Sequence, residues 1–94
     1  LARASGLTAR VDAAAVPYLD GARDALAAGF VSGGTRRNLE WVMPHLAADG
    51  VAEEELLLLA DAQTSGGLLL VGEIPGHPVI GELVPAGDTL VQVR

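Results

Sequence analysis

Cysteine and lysine are both absent from this 94-residue chain. Without cysteine there is no disulfide framework, no thiolate metal site and no cysteine nucleophile. Without lysine the phosphate-loop pattern that ends in Gly-Lys-Ser/Thr cannot be present, and no Gly-x-Ser-x-Gly elbow occurs either. The lack of lysine is also what an arginine-favouring genome would produce, so it carries no functional weight by itself. Aromatic residues are scarce: only Tyr18, Phe30 and Trp41, which leaves Val, Leu and Ala to fill any core. No apolar run approaches the roughly 20 residues of a membrane span, and the first residues lack the charged–apolar–small pattern of a signal peptide. Positive charge is scarce too. Six arginines stand against twelve acids, for a net charge of −6, and such a surface repels phosphate backbones, which argues against nucleic-acid binding.

What is present suffices for one domain. Half the residues are hydrophobic, and a chain of this size buries about 60–65% of its unfolded surface. The first five residues read as the last turn of a helix capped by Gly6. A chain that opens on Leu1 inside a helix is expected to be a piece of a longer protein. Residues 7–13 alternate Leu7, Ala9 and Val11 against Thr8, Arg10 and Asp12, the period of a half-buried strand. Pro17 breaks the chain before a helix over residues 19–28, with Asp20 as its N-cap and Gly29 as its stop. Thr35 is placed as the N-cap of the next helix, whose apolar face is Leu39, Val42, Met43 and Leu46 and which Pro44 ends or kinks. Glu53, Glu54 and Glu55 open a helix over residues 52–60, their charges matched to the positive end of its dipole.

The remaining segments read as strands. Residues 68–71, Leu-Leu-Leu-Val, suit a strand buried on both faces. Residues 79–84 and 89–93, joined by Pro85-Ala86-Gly87-Asp88, read as a terminal hairpin. The fold class is α/β (α+β), a mixed sheet with helices packed on it.

Two glycine joints are where chemistry could sit. Gly33-Gly34-Thr35-Arg36-Arg37 stands at a helix N-terminus, whose unpaired N–H groups and positive dipole end suit an anion. Two of the six arginines lie there. The bland alternative makes Thr35 an ordinary cap and leaves the arginines solvated. The second joint is Gln63-Thr64-Ser65-Gly66-Gly67, whose hydroxyls would add donors if the two joints lay together in space. Asp61, at a helix end before a turn, reads as a local hydrogen-bonding residue rather than a catalytic acid or metal ligand. His45 and His77 have no shared spacing and make no zinc site. No catalytic centre and no metal site can be assembled from these residues, so the chain alone is expected not to be an enzyme.

Three stretches carry a family resemblance. Asp61-Ala62-Gln63-Thr64-Ser65-Gly66-Gly67-Leu68-Leu69-Leu70 resembles a signature near the end of the C-terminal domain of selenide, water dikinase (selenophosphate synthetase). Gly33-Gly34-Thr35-Arg36-Arg37-Asn38 upstream and Val79-Ile80-Gly81-Glu82-Leu83-Val84 downstream also match, in the family's order. The matching text covers most of the chain from Gly6 onward. The resemblance implies a single C-terminal-type domain, residues 1–94, of the aminoimidazole ribonucleotide synthetase superfamily, from a two-domain cytoplasmic enzyme. That enzyme makes selenophosphate, AMP and phosphate from ATP, selenide and water with magnesium.

In the family, the catalytic cysteine or selenocysteine, an essential lysine and the magnesium-binding aspartates lie in the N-terminal part, which is not in this chain. What carries over is Gly33, Gly34, Thr35 and Asn38, with Arg36 beside them, and Gln63, Thr64, Ser65, Gly66 and Gly67. The resemblance gives them the role of shaping and closing the nucleotide or phosphate cleft. ATP and magnesium are implied for the parent and none is expected bound to the fragment. The implied partner is the chain's own N-terminal ATP-binding domain, within a homodimeric parent, with no nucleic acid and no membrane.

The competing class is a stand-alone interaction or scaffold module whose glycine joints are structural. A related ATP-using member of the superfamily is disfavoured by the wording of the second joint. One interval departs from the family: residues 72–78 are too few for a parallel crossover, where the family carries a helix. Either the chain dispenses with that helix and turns antiparallel, or the sequence lacks residues between Val71 and Glu73. The second is the expectation.

Overall fold

The computed structural model describes residues 1–62 and 68–94. Its sheet is organised on β1 (Leu7–Val11), which is flanked on both sides. β3 (Gly81–Pro85) runs antiparallel to it, with Leu7 opposite Pro85 and Val11 opposite Gly81. β4 (Val91–Val93) runs parallel to it on the other side, Ala9 opposite Val91. The two-residue β2 (Leu46–Ala47) pairs parallel to β4 and completes the order β2-β4-β1-β3. The domain is a mixed sheet with helices, as the sequence indicates.

The helices follow their local signals closely. α1 (Ala2–Ser5) ends at Gly6, whose φ of 66° is the left-handed conformation that favours glycine. α2 (Ala22–Ala27) starts after Gly21, not at Asp20, and its end passes into Gly29 at φ 91°. α3 (Gly33–Val42) gives way to a 3-10 turn, Met43–His45, where Pro44 can supply no N–H to continue the ladder. α4 (Glu53–Leu59) begins with its three glutamates in the first turn. Leu56 of α4, Val93 of β4 and Ala13, in a 3-10 turn over Ala13–Ala15, form the buried cluster. Leu39 of α3, with Leu46, Val51, Leu59 and Val91, packs against it, so α3 and α4 cover the β4 side of the sheet.

Three expectations are corrected. The terminal hairpin does not form, because β3 and β4 lie on opposite sides of β1. The reason is visible at Thr8. Its hydroxyl donates to the Thr89 carbonyl at 2.8 Å and accepts from the Gly87 N–H at 3.1 Å, so the connection between β3 and β4 wraps the start of β1 instead of turning back on itself. Arg10 stitches the same three strands, donating to Glu82 at 3.0 Å and Gln92 at 3.2 Å.

The burial of β1 is also inverted relative to its pattern. Thr8 is 1% exposed while Leu7, Ala9 and Val11 are half-buried, because two satisfied hydrogen bonds make a buried hydroxyl inexpensive. Finally, residues 68–71 form no strand and are 58–85% exposed. With no strand there, residues 72–78 join neither a parallel nor an antiparallel pair.

One ion pair holds α2 to α4. Arg23 donates to both carboxylate oxygens of Glu55, the second at 3.2 Å, and its guanidinium lies 5.2 Å from the Tyr18 ring centroid. The hydrogen bond from Arg23 holds Glu55 below its ordinary 4.5, with desolvation opposing it and the Arg23 charge adding to it. A depressed carboxylate contributes stability above its unfolded pKa and loses it as pH falls through the folded one. The Arg23→Met variant is therefore expected to unfold at lower urea than wild type at pH 7. That gap should close on acidification below pH 4.5, a convergence readable from paired urea titrations. The effect is small, since both groups remain partly solvated.

Candidate functional site

The first glycine joint is capped by a residue the sequence reading passed over. Ser32, extended at φ −72° and ψ 156°, accepts the Thr35 N–H on its hydroxyl at 3.1 Å and is the N-cap of α3. Thr35 sits one turn further in, at the third helical position, and is 4% exposed. Its hydroxyl is fully used. It donates to Asp61 Oδ1 at 3.1 Å and accepts from the Ala62 N–H at 3.2 Å, and the Ser32 hydroxyl lies 3.0 Å away as a second donor. Thr35 is thus a brace between the α3 N-terminus and Asp61–Ala62, correcting its assignment as a cap. The Ser-x-x-Thr spacing was the available signal for the cap. Nothing local signalled the bond to Asp61, 26 residues away.

That brace holds Asp61 and Ala62 against the first joint. Asn38 donates to the Ala60 carbonyl at 3.0 Å. A Cβ on Gly34 would stand 3.1 Å from the Ala62 side chain, so glycine here permits the close approach. Asp61 accepts from the Thr35 hydroxyl 26 residues away, so its hydrogen bond is long-range rather than the local one its position suggested. Gln63, Thr64, Ser65, Gly66 and Gly67 lie outside the described residues. Arg36 is exposed, whereas Arg37 folds back so that its guanidinium would touch a Cβ placed on Gly33, at 3.1 Å.

The donor set at this turn suits phosphate oxygens. The first turn of a helix leaves four N–H groups without intrahelical partners. Those of Thr35 and Arg36 are taken by the Ser32 hydroxyl and carbonyl. Among the described residues the Gly33 and Gly34 N–H groups are the remaining two, beside the Arg37 guanidinium and at the positive end of the α3 dipole. Magnesium finds no comparable set, since the described residues contain no grouping of three or more His, Asp or Glu side chains. His45 lies 3.4 Å from Arg3 and tilts against Trp41 at 6.2 Å, and His77 occupies a turn with its N–H on Ile74. Among the described residues no helix is long and apolar enough to cross a membrane.

Fold and joint together define an α/β domain with a glycine-rich helix N-terminus braced to the residues that follow α4. Comparison with curated proteins makes the class specific. The chain is 49% identical over 107 residues to selenide, water dikinase of Pseudomonas aeruginosa, a match covering 99% of the chain and 30% of that relative. It is 40% identical over 106 residues to the enzyme of that name from Photobacterium profundum, covering 95% of the chain and 30% of the relative. For Escherichia coli the figures are 37% over 110 residues, 100% and 31%.

The chain is similar to the selenide, water dikinases over nearly its whole length and spans 30–31% of the length of these three. No protein-family model matches it. The Escherichia coli match sets 110 positions against 94 residues, so at least 110 − 94 = 16 positions of that relative have no counterpart here.

Proposed function

We propose that this chain serves as the C-terminal domain of a selenide, water dikinase, closing the phosphate side of the nucleotide cleft from the α3 N-terminus. The observation that carries the reading is the similarity to enzymes of that name across nearly the whole chain. The Thr35 brace supports it by joining the two stretches that bear the resemblance. In this role the Gly33 and Gly34 N–H groups and Arg37 contact phosphate oxygens of ATP. Thr35 holds Asp61 and Ala62 beside them. ATP and magnesium belong to the parent enzyme: the nucleotide brings the phosphoryl group and the metal neutralises its charge, with the metal held by the rest of the parent. The parent's remaining domain is the partner of this one, and the parent is a homodimer.

A split site of this kind makes no product in halves. The isolated chain is expected to give no AMP above background from ATP, magnesium and selenide. Chromatographic detection of AMP decides it, and selenide-dependent AMP from the pure chain would overturn the reading.

A further inference from the structure

Asp-Gly occurs twice in the chain, at Asp20-Gly21 and at Asp49-Gly50. In both, the glycine stands third in a four-residue turn with positive φ, 88° for Gly21 and 73° for Gly50. All four residues are exposed, and among the described residues neither glycine N–H donates to a backbone carbonyl. Such a pair can react with itself, since glycine puts no Cβ in the way of its own nitrogen. That nitrogen bonds to the aspartate Cγ while the protonated carboxyl loses its hydroxyl, which departs as water with the amide proton. Water then adds back to the five-membered succinimide. Opening at the main-chain carbonyl leaves the chain running through Cγ, as isoaspartate of unchanged mass.

The fold treats the two pairs differently. Ring closure requires rotation about the bonds that join aspartate to glycine, so every contact fixing the turn opposes it. The first turn is closed by the Ala22 N–H on the Leu19 carbonyl at 3.1 Å, and the Gly21 carbonyl accepts the Ala25 N–H of α2 at 2.9 Å. Its flanks are clamped as well, because Arg23 lies over the Tyr18 ring and holds Glu55 of α4. The second turn has a single closing bond, from the Val51 N–H to the Ala48 carbonyl at 3.5 Å, beyond the ordinary range for N–H donors. Among the described residues, Asp49 and Gly50 themselves take part in no backbone hydrogen bond.

We infer that Asp49-Gly50 is a site of spontaneous isoaspartate formation in the folded chain. Asp20-Gly21, of the same chemistry, is held out of reaction by its turn and by the Arg23 clamp. The product adds one main-chain carbon to the connection between β2 and α4. Ala48 and Val51, on either side, pack against the core cluster, so the modified chain is the less stable one. The inference is independent of the dikinase reading.

To test it, the chain is kept folded at neutral pH below its melting temperature, and in parallel unfolded in urea, then digested and mapped. Isoaspartate is read as a second chromatographic peak of unchanged mass that accepts a methyl group from an isoaspartyl methyltransferase. The folded chain is expected to accumulate it several-fold faster at Asp49 than at Asp20, and the unfolded chain at similar rates. Arg23→Met is expected to raise the rate at Asp20 and leave that at Asp49 alone. Asp49→Glu, whose longer side chain must close a six-membered ring, is expected to stay unmodified there and to keep its melting temperature on storage. Equal rates at the two pairs in the folded chain, or a faster reaction at Asp20, would overturn the inference. So would a folded chain whose Asp49 stays intact while it reacts in urea. A rate at Asp20 that ignores Arg23→Met would overturn the clamp.

Discussion

Gly81→Ala is expected to lower stability by about 2–3 kcal/mol, the range of a forced overpacking. For a domain of this size that is a fall in melting temperature of roughly 10–20 °C. Gly81 opens β3 opposite Val11 of β1, and a Cβ added there would run into the Arg10 carbonyl and the Val11 backbone. Backbone cannot swing aside as a flexible side chain does. The substitution must therefore either push β3 off the centre of the sheet or distort β1. Part of the loss is offset because alanine restricts the unfolded chain more than glycine, a gain of about 0.4–1 kcal/mol. Calorimetric melting of the two proteins measures the net effect. An unchanged midpoint would show that β3 does not seat against β1 in this register.

Thr35→Val should cost about 0.5–1.5 kcal/mol although it keeps the shape of the side chain. The methyl that replaces the hydroxyl can neither donate to Asp61 nor accept from the Ala62 N–H. Thr35 itself is buried, but Asp61 and Ala62 are exposed, so water takes over part of their bonding and the cost is that of a lost hydrogen bond, not of a buried unpaired group. The loss is also local in its consequence. α3 and α4 should persist by circular dichroism, while amide exchange at Ala62 accelerates. Thr35→Ser retains the hydroxyl and is expected to recover most of the loss. If valine and serine variants melt alike, the brace contributes nothing.

These residues show which parts of the fold are legible in sequence. Gly6, the glutamates of α4 and Pro44 act through their own backbones or their immediate neighbours, so the helices they start or stop lie where the sequence puts them. β1, β3 and β4 are likewise found as strands at their expected places. Their order is not, because pairing joins residues some 80 positions apart. The wrap at Thr8 that separates β3 from β4 depends on Gly87 and Thr89. Short apolar runs have no periodicity to show whether they find a partner, which is why residues 68–71 read as a buried strand and stand exposed instead.

The candidate site divides the same way. Gly33 and Gly34 at a helix N-terminus are legible from glycine and polar punctuation alone. Capping by Ser32 and the tie from Thr35 to Asp61 are not, since a threonine near a helix start serves equally well as cap or brace until its distant partner is known. Arg36 and Arg37 are adjacent and alike in sequence, yet only Arg37 lies over the Gly33 turn.

The most direct test places this chain where its relatives carry the matching part. In the Pseudomonas aeruginosa selenide, water dikinase, the matched 30% is replaced by these 94 residues, and AMP formed from ATP and selenide is measured with and without Gly34→Val. The branched side chain would push Ala62 away from the first joint. The chimera is expected to make AMP, and the variant to lose at least roughly tenfold in kcat/KM for ATP, equivalent to about 1.4 kcal/mol of transition-state stabilisation. A folded chimera that makes no AMP, or one whose rate ignores the valine, would contradict a role for this joint in the phosphate cleft.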